Sequence, residues 1–318
     1  MDATTLTLDS LEAVMFRHVD HLQFQAKPEK PDALFAMKMQ ELVGGQFGEI
    51  TVMMQYLWQG WTCRVPGKYK DMIMDIATEE IGHVEMLTTM MARLLEGAPA
   101  ETTEKAVAAN PVLAAVIGGM NPQHAIVAGG NALPRDSQGV PWNAGYIAAS
   151  GNLLADFRSN VAAEAQSRVM TSRVYNMTDD PGVKEMLKFN LARDTFHQQQ
   201  WLLGIEQLIA DGLVDHGIEN SNGDEENPDQ NHTFWSFDEN STAGEGRWAQ
   251  GPALIGKQDI VHVQAQPLTD DRPLGPAPDP KLYVTYDGSQ GPGKTGGAVA
   301  AHGQGIANLA NKIKGALD

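Results

Sequence analysis

Apolar residues in the first two thirds of the chain recur at intervals of three and four positions, the spacing of a buried helix face. Glycine and proline in "EGAPA" and "ADG" mark the ends of two such segments. Before the last segment, Asp180 is a suitable N-cap and Pro181 takes the first helical position. The pattern therefore predicts an all-α core of four long helices, over residues 33–62, 68–96, 146–177 and 182–211.

The connections between the predicted helices indicate their topology. Helices one and two are joined by the short turn "VPGK", and helices three and four by "MTDDPG". Residues 98–142, rich in glycine, alanine, proline and asparagine, separate the two pairs. Two hairpins joined by one long crossover have the connectivity of a ferritin-like four-helix bundle, which we assign to residues 1–213.

The composition changes in residues 214–318. The stretch "ENSNGDEENPDQNH" is acidic and polar, and the later part is rich in proline and glycine. Short strands are predicted at "DIVHVQA" and "KLYVTY", and a small amphipathic helix at "GIANLANKIKGALD". Because the segment lacks the apolar periodicity of a second core, we expect an irregular C-terminal extension that packs on the bundle or on neighbouring subunits.

Polar residues interrupt the apolar stripe of every predicted helix. Stepping along one face of helix one leads from Phe35 through Gln46 to a glutamate and then to Tyr56. In helix two the same register places Glu80 on the stripe and its neighbour Glu79 beside it. The six ionisable residues on the four inward faces are Glu49, Glu80, His83, Glu164, Asp194 and His197.

These insertions point to a shared metal centre. One buried carboxylate without a partner costs several kcal/mol or takes up a proton, whereas a cation compensates a whole group of them. Each hairpin carries a lone glutamate followed by a carboxylate-x-x-His, an arrangement characteristic of di-iron and di-manganese carboxylate bundles. A single histidine would more often be a hydrogen-bonded core residue. Tyr56 is either a core tyrosine or a hydrogen-bond donor to the site.

Composition and charge narrow the class of protein. The 318 residues are 42% hydrophobic and 20% charged, as in globular domains. The net charge of −17 argues against nucleic acids and anionic membranes as partners. The single cysteine, Cys63, allows no intrachain disulfide. Without a basic and apolar leader or a long apolar run, we expect a cytoplasmic protein.

One short motif suggests a different chemistry. "GSQGPGKT", residues 288–295, fits the phosphate-loop pattern, which requires a preceding strand and a following helix. "KLYVTY" could be the strand, but the next ten residues contain four glycines and make a poor helix start. No α/β alternation accompanies the motif, so we interpret it as a chance match.

The bundle segments resemble those of the manganese catalases. The similarity lies in "LVGGQFGEITVMMQYLWQGW", "DIATEEIGHVEML", "PWNAGYIAASGNLLADFRSNVAAEA" and "RVYNMTDDPGVKEMLKFNLARDTFHQQQ". The resemblance implies disproportionation of hydrogen peroxide to water and dioxygen by two manganese ions per chain that cycle between Mn(II) and Mn(III). It implies that Glu80 bridges the ions, that Glu49 and His83 bind one, and that Glu164 and His197 bind the other.

The resemblance also implies roles beyond the ligands. Glu80, Glu164, Asp194 and Tyr56 become the candidate catalytic residues, with Asp194 beside the metals where the family often has the longer glutamate. Ala163 stands where some members have an arginine. The family forms intertwined homohexamers that act against oxidative stress, which would explain the C-terminal extension as a clasp between subunits.

A calcium site and two rival functions remain open. Some family members bind calcium, and the matching residues here would be Asp71, Asp75, Ser236, Asp238 and Asn240. The alternative is an acidic, solvated surface. The rival functions are a di-iron oxidase or iron-handling protein, which usually has a second bridging glutamate, and a catalytically inactive structural protein.

Overall fold

The computed structural model describes residues 19–97, 112, 115, 116, 119–214, 218, 227–238 and 240–264. Short 3-10 and π-helical turns and one pair of strands connect or follow the long helices in these ranges. The α-helices are α1 (Ala33–Gly44), α2 (Glu49–Thr62), α3 (Lys68–Leu94), α4 (Leu153–Tyr175) and α5 (Pro181–Ala210). The strands are β1 (Thr233–Ser236) and β2 (Val261–Gln264), which pair with each other.

The first predicted helix is interrupted, so the prediction of one helix over residues 33–62 was wrong. α1 ends at Gly44 and α2 begins at Glu49. Gly45 has an extended backbone, and a Cβ there would lie 2.5 Å from the Glu41 carbonyl oxygen, so the break depends on glycine. The break also moves Gln46 out of the predicted inward face to the surface, while Glu49 stays buried.

The remaining helices follow the prediction with one shifted boundary. α4 begins at Leu153, seven residues later than predicted, because Asn152 caps it by accepting a hydrogen bond from the Ala155 amide at 3.1 Å. At the start of α5, Asp180 accepts from the Val183 amide at 3.0 Å. The predicted cap and the proline at the first helical position are therefore confirmed.

Hydrogen bonds between helix ends establish the directions of the helices. The start of α1 lies beside the end of α3, the end of α2 beside the start of α4, and the start of α3 beside the end of α5. The bonds are Asp32 N to Leu94 O (2.8 Å), Gln59 Nε2 to Asn160 Oδ1 (2.8 Å) and Tyr69 Oη to Asp211 Oδ2 (2.7 Å). α1, α2 and α5 thus run opposite to α3 and α4, which confirms a ferritin-like bundle with one long crossover.

The crossover is seated on α1 through a buried amide. Gln40 Nε2 donates to the carbonyl oxygens of Leu133 and Arg135, both at 2.6 Å. The other end of the Gln40 amide, Oε1, lies 2.9 Å from His124 Nε2. Gly44 lets the Arg135 backbone approach the end of α1. The long connection is therefore held by hydrogen bonds to a buried side chain.

The apolar core is divided by a polar layer. Along α3, the buried apolar residues of segment 69–77 belong to one cluster and those of segment 86–94 to another. Along α5, the buried apolar residues of segments 183–187 and 201–208 divide in the same way. The residues between these segments include buried carboxylates and imidazoles, so the candidate site occupies a layer across the bundle.

The chain divides into two compact units, Met1–Thr233 with Arg247–Val261, and Phe234–Gly246 with His262–Asp318. The predicted strand in "DIVHVQA" forms β2. The predicted strand "KLYVTY", the motif at 288–295 and the predicted terminal helix lie outside the described residues, and the domain boundary at 213/214 stays a prediction. Among the helices of the described residues, none has both the length and the apolar character of a membrane span.

We predict that Gly44→Ala destabilises the fold by roughly 1–3 kcal/mol, because its Cβ would overlap the backbone of Arg135, which cannot rotate away. Urea unfolding measures the change. The matched control is Gly82→Ala in α3, where the nearest atom is the flexible Gln23 Oε1 at 3.3 Å. The control should be neutral or stabilising by up to about 1 kcal/mol. Equal effects at both positions would contradict the close packing of the crossover.

Candidate metal centre

Four helices bring the predicted ligands together in the polar layer. Glu49 lies at the first position of α2, where the helix N-terminus favours a negative charge. Glu80 and His83 are one turn apart on α3. α4 contributes Glu164 and α5 contributes His197. All five side chains are buried, with at most 2% of each residue exposed.

Glu80 lies at the middle of this group. Its Oε2 is 2.7 Å from His83 Nδ1, and its Oε1 is 2.7 Å from His197 Nδ1. The ring centroids of the two histidines are 5.5 Å apart and the ring planes differ by 28°. One carboxylate therefore spans two nearly parallel imidazoles, an arrangement suited to bridging two ions.

The other two glutamates lie on opposite sides of Glu80. Glu49 Oε2 is 3.5 Å from His83 Nδ1, and Glu164 Oε1 is 3.9 Å from His197 Nδ1. The Nδ1 atoms of both histidines thus face carboxylates, in two half-sites that share Glu80. Among the described residues, two groups of three side chains could hold a metal ion. They are Glu80 with His83 and His197, and Glu49 with His83 and Asp194. Within each group, the ligand atoms lie within 4.8 Å of one another.

Unpaired buried atoms indicate that these residues fit a metal. Glu80 Oε1 and His197 Nδ1 are 2.7 Å apart, yet neither has a hydrogen-bond partner of acceptable geometry. The Nε2 atoms of His83 and His197 also lack one. An unsatisfied buried polar atom costs about 1–3 kcal/mol, more if charged, and a cation would engage the lone pairs of Glu80 and His197 together. Oxygen and imidazole donors suit manganese and iron alike.

Burial opposes negative charge on the carboxyl groups around Glu80. Burial raises the pKa of Glu49, and the charge of Glu80 raises it further. Burial and Glu80 also raise the pKa of Glu164 well above its usual value. The pKa of Asp194 is raised well above normal by burial and then by Glu49 and Glu80. Without a cation, these three carboxyl groups therefore bind protons more readily than exposed carboxyl groups do.

The pKa values of Glu80 and His197 are shifted in the direction that favours the charged form of each group. Burial would raise the pKa of Glu80, but the charges and hydrogen bonds of His83 and His197 outweigh burial and hold that pKa below its usual range. Burial would lower the pKa of His197, but Glu79, Glu80 and Glu164 raise it to about 10. In the metal-free protein, protonated imidazoles therefore supply the positive charge that Glu80 requires.

Hydrogen bonds hold the two outer glutamates. The Tyr56 hydroxyl donates to Glu164 Oε1 at 2.6 Å, with both residues buried. Asn190 Nδ2 donates to Glu49 Oε1 at 2.9 Å and to Asp194 Oδ1 at 2.8 Å. Asp194 is thus connected to Glu49 through one amide. The predicted catalytic roles of Tyr56 and Asp194 stay predictions, with these contacts as their basis.

Sequence reasoning missed two residues at the site. Asn190 is on the inward stripe of α5, but an asparagine there carries no chemical signature. Glu79 lies beside the stripe of α3, yet its carboxylate is near both histidine Nε2 atoms and binds Arg193. The available signal was the pair of consecutive glutamates, which lie about 100° apart around a helix and face different partners.

The structure also describes the surroundings of the other residues singled out from the sequence. Ala163 packs in the apolar cluster beside α2. Asp71 and Asp75 are exposed on α3. In the second unit, Ser236 Oγ donates to the Asp238 carbonyl at 3.0 Å, and the Asn240 amide donates to Asp238 Oδ1 at 2.9 Å. The calcium site stays a prediction.

The chain is similar in sequence and in fold to known proteins. The family model described as "Manganese containing catalase" matches residues 15–285. The manganese catalase of Bacillus subtilis (strain 168) is 50% identical over 87% of this chain and 100% of its own. The uncharacterized protein YjqC of the same strain is 51% identical over 83% of this chain and 95% of its own. The crystal structure of KatB, a manganese catalase from Anabaena PCC7120, has a TM-score of 0.59 at 26% identity and covers 80% of this chain and 100% of its own.

We predict that Tyr56→Phe lowers the free energy of unfolding of the metal-free protein by about 1–3 kcal/mol, because buried Glu164 loses its hydrogen bond. Urea unfolding measures the loss. Tyr146→Phe is the control, since Tyr146 is only partly buried in a 3-10 turn. It should change stability by less than about 0.5 kcal/mol. A Tyr56 variant as stable as the control would contradict the hydrogen bond.

We also predict that Mn(II) binding releases protons and weakens as the pH falls. Between pH 6.5 and about 10, metal-free folded protein holds a proton on His197 that the unfolded chain lacks. This proton stabilises the metal-free fold below pH 6.5, and that stabilisation is lost as pH rises to about 10. Mn(II) must displace this His197 proton and the carboxyl protons. A weakly buffered protein solution should therefore acidify when it is titrated with Mn(II). A pH electrode checks this, and binding without acidification would be the contrary result.

Proposed function

We propose, because this chain belongs to the manganese-containing catalase family, that it disproportionates two molecules of hydrogen peroxide into two of water and one of dioxygen. The observation that carries the proposal is the convergence of three carboxylates and two imidazoles from four helices in one buried layer. Relatives at about 50% identity over most of the chain support the same activity.

The proposed centre holds two manganese ions per chain in two half-sites. Glu49 and His83 would hold one ion, Glu164 and His197 the other, and Glu80 would be shared. The support is the distance pattern, in which each Glu80 oxygen is 2.7 Å from one Nδ1 and each outer glutamate lies on the side of a different histidine. The three carboxylates would leave a net charge of about +1 on two divalent ions, which suits an anionic ligand.

When bound, manganese supplies two one-electron steps between Mn(II) and Mn(III), enough to reduce one peroxide and to oxidise the next. The protein supplies a fixed and dry environment for this chemistry. The apolar clusters on either side of the polar layer exclude bulk water, while Tyr56 and Asn190 hold the outer glutamates in place. These hydrogen bonds would keep the distance between the two half-sites constant as the charge of the metal ions changes.

We propose that Asp194 and Tyr56 assist proton movement. Reduction of peroxide to water consumes two protons, and oxidation of peroxide to dioxygen releases two. Asp194 is buried and connected through the Asn190 amide to Glu49, and Ser167 Oγ is 3.4 Å from its Oδ2. On the opposite side, the Tyr56 hydroxyl contacts Glu164. Each outer glutamate therefore has one group that can exchange a proton beside it.

The rival functions have less support. The relatives at about 50% identity include manganese catalases, which does not favour a di-iron oxidase or iron-handling protein. Asp194 Oδ1 accepts a hydrogen bond from Asn190 Nδ2, and a second bridging glutamate is absent from this position. The family match ends at residue 285, before the phosphate-loop pattern at 288–295. A nucleotide hydrolase therefore has only a short motif in its favour.

Further proposals extend beyond the metal centre. We propose that the chain forms a homohexamer in which residues 214–318 pack on neighbouring subunits. We also propose a cytoplasmic location, a role against oxidative stress, and a calcium ion at Asp71, Asp75, Ser236, Asp238 and Asn240. The resemblance to the manganese catalases supports these proposals, and the carboxylates of Asp71, Asp75 and Asp238 favour calcium. Size measurement would test the hexamer, and calcium analysis would test the calcium site.

The decisive test combines elemental analysis with an oxygen electrode. Wild-type protein should contain two manganese per chain and release one dioxygen for every two peroxides consumed. Glu80→Gln should lose both metal and activity by at least about 100-fold, because an amide supplies neither the charge nor the second lone-pair oxygen. Glu85→Gln is the control, since Glu85 is exposed on the same helix.

Two outcomes would oppose the proposal. Wild-type protein that contains iron and consumes dioxygen would favour the oxidase function. A Glu80→Gln variant that keeps two manganese ions would exclude Glu80 as the shared ligand. Because the control carries the same change of charge on α3, loss of metal in both variants would point to a general electrostatic effect.

A further inference from the structure

A second glutamate lies on the far side of the two histidine rings. Glu79 Oε2 is 3.1 Å from His197 Nε2, and Glu79 Oε1 is 3.7 Å from His83 Nε2. The first distance is within hydrogen-bonding range, although the two groups do not have the geometry of a hydrogen bond, and the second is a longer electrostatic contact. These nitrogens are the ring atoms opposite to those that face Glu80.

The two neighbouring glutamates therefore make matching contacts with the same pair of rings. Each oxygen of Glu80 faces one Nδ1, and each oxygen of Glu79 faces one Nε2. The helix makes this possible because consecutive residues point about 100° apart. The carboxylate of Glu80 therefore enters the polar layer, while that of Glu79 lies on the other side of the rings. The rings lie between the two carboxylates.

Other side chains fix the position of Glu79. Arg193 donates from Nε to Oε1 at 2.6 Å and from a terminal nitrogen to Oε2 at 3.0 Å, a bidentate pair that sets the plane of the carboxylate. Gln23 Nε2, from the segment before α1, donates to Oε1 at 2.7 Å. The Glu79 side chain is only 21% exposed. Glu79 is thus a built feature and not a loose surface charge.

The protonation of a metal-binding imidazole explains why a carboxylate is needed at this position. A neutral histidine that binds a cation through Nδ1 carries its proton on Nε2, and that buried N–H needs an acceptor. Glu79 is the acceptor within reach of both rings. We propose that Glu79 is a positioning residue that fixes the tautomer and the orientation of both histidines, so that one carboxylate outside the centre controls both metal positions.

This inference rests on the proposed function, because it assumes that both Nδ1 atoms bind manganese. It adds that the two half-sites share two carboxylates, one that binds the ions and one that does not. Arg193 and Gln23 occupy the oxygens of Glu79, which therefore acts through the histidines and not as a ligand. Loss of Glu79 should consequently weaken both metal positions together.

The test is a titration of metal-free protein with Mn(II) alone, with bound metal measured by equilibrium dialysis. We expect Glu79→Gln, which keeps the size of the side chain, to weaken both of the two binding events by about 10- to 100-fold. Glu85→Gln should bind as wild type does. Nitrogen-15 spectra of histidine-labelled, metal-free protein should show shifted imidazole nitrogen signals for two histidines in Glu79→Gln and for none in Glu85→Gln.

Arg193→Gln provides a second variant that keeps the carboxylate and removes its anchor. It should weaken both binding events by a smaller factor than Glu79→Gln, and it serves as the test if Glu79→Gln fails to fold. Wild-type affinity in the Glu79 variant, or in the Arg193 variant when it stands alone, would overturn the inference. Weakening of only one of the two binding events would overturn the shared role.

Failure of this inference can be distinguished from failure of the proposed function. If wild-type protein binds two Mn(II) and releases dioxygen while Glu79→Gln does the same, only the role of Glu79 is excluded. If wild-type protein binds no Mn(II), the proposed function fails, and the inference fails with it.

Discussion

The structure depends on the compensation of negative charge inside an apolar bundle. Three glutamates and an aspartate are buried at one level, and burial and the charge of Glu80 raise the pKa of Glu49, Glu164 and Asp194. Two imidazoles supply part of the missing positive charge. A pair of divalent cations could replace protons on both kinds of group. The folding of the layer and the binding of metal are therefore parts of one equilibrium.

The helices place these charges by two different means. α3 and α5 are continuous through the layer, so the regular turn of the helix puts Glu80 above His83, and Asp194 above His197. The first predicted helix is instead interrupted between α1 and α2, and the interruption puts Glu49 at the N-terminal turn of α2. A helix N-terminus favours a carboxylate by about 0.3–1 kcal/mol, and more when partly buried. The break thus contributes to the site as well as to the fold.

Contacts outside the ligand set are as specific as those within it. Tyr56, Asn190 and Glu79 each connect a candidate ligand to a different part of the bundle. Such contacts hold ligand atoms in place when the charge of the centre changes, which a redox cycle requires. The apolar clusters on either side of the layer keep the hydrogen bonds of Tyr56 and Asn190 away from competing water.

The sequence by itself determined the bundle, its connectivity and the set of buried ionisable residues, because helical periodicity is a local property and polar residues on an apolar stripe stand out. It did not determine the break at Gly45, where close approach to Glu41 decides the backbone, or the delayed start of α4. Tertiary structure alone decided that Glu79 faces both histidines, that Arg193 and Gln23 hold it, and that Asn190 joins Glu49 to Asp194. Apart from Glu79 with His83 and Asn190 with Asp194, these contacts join residues far apart along the chain. No local pattern records which side chains the packing of helices will bring together.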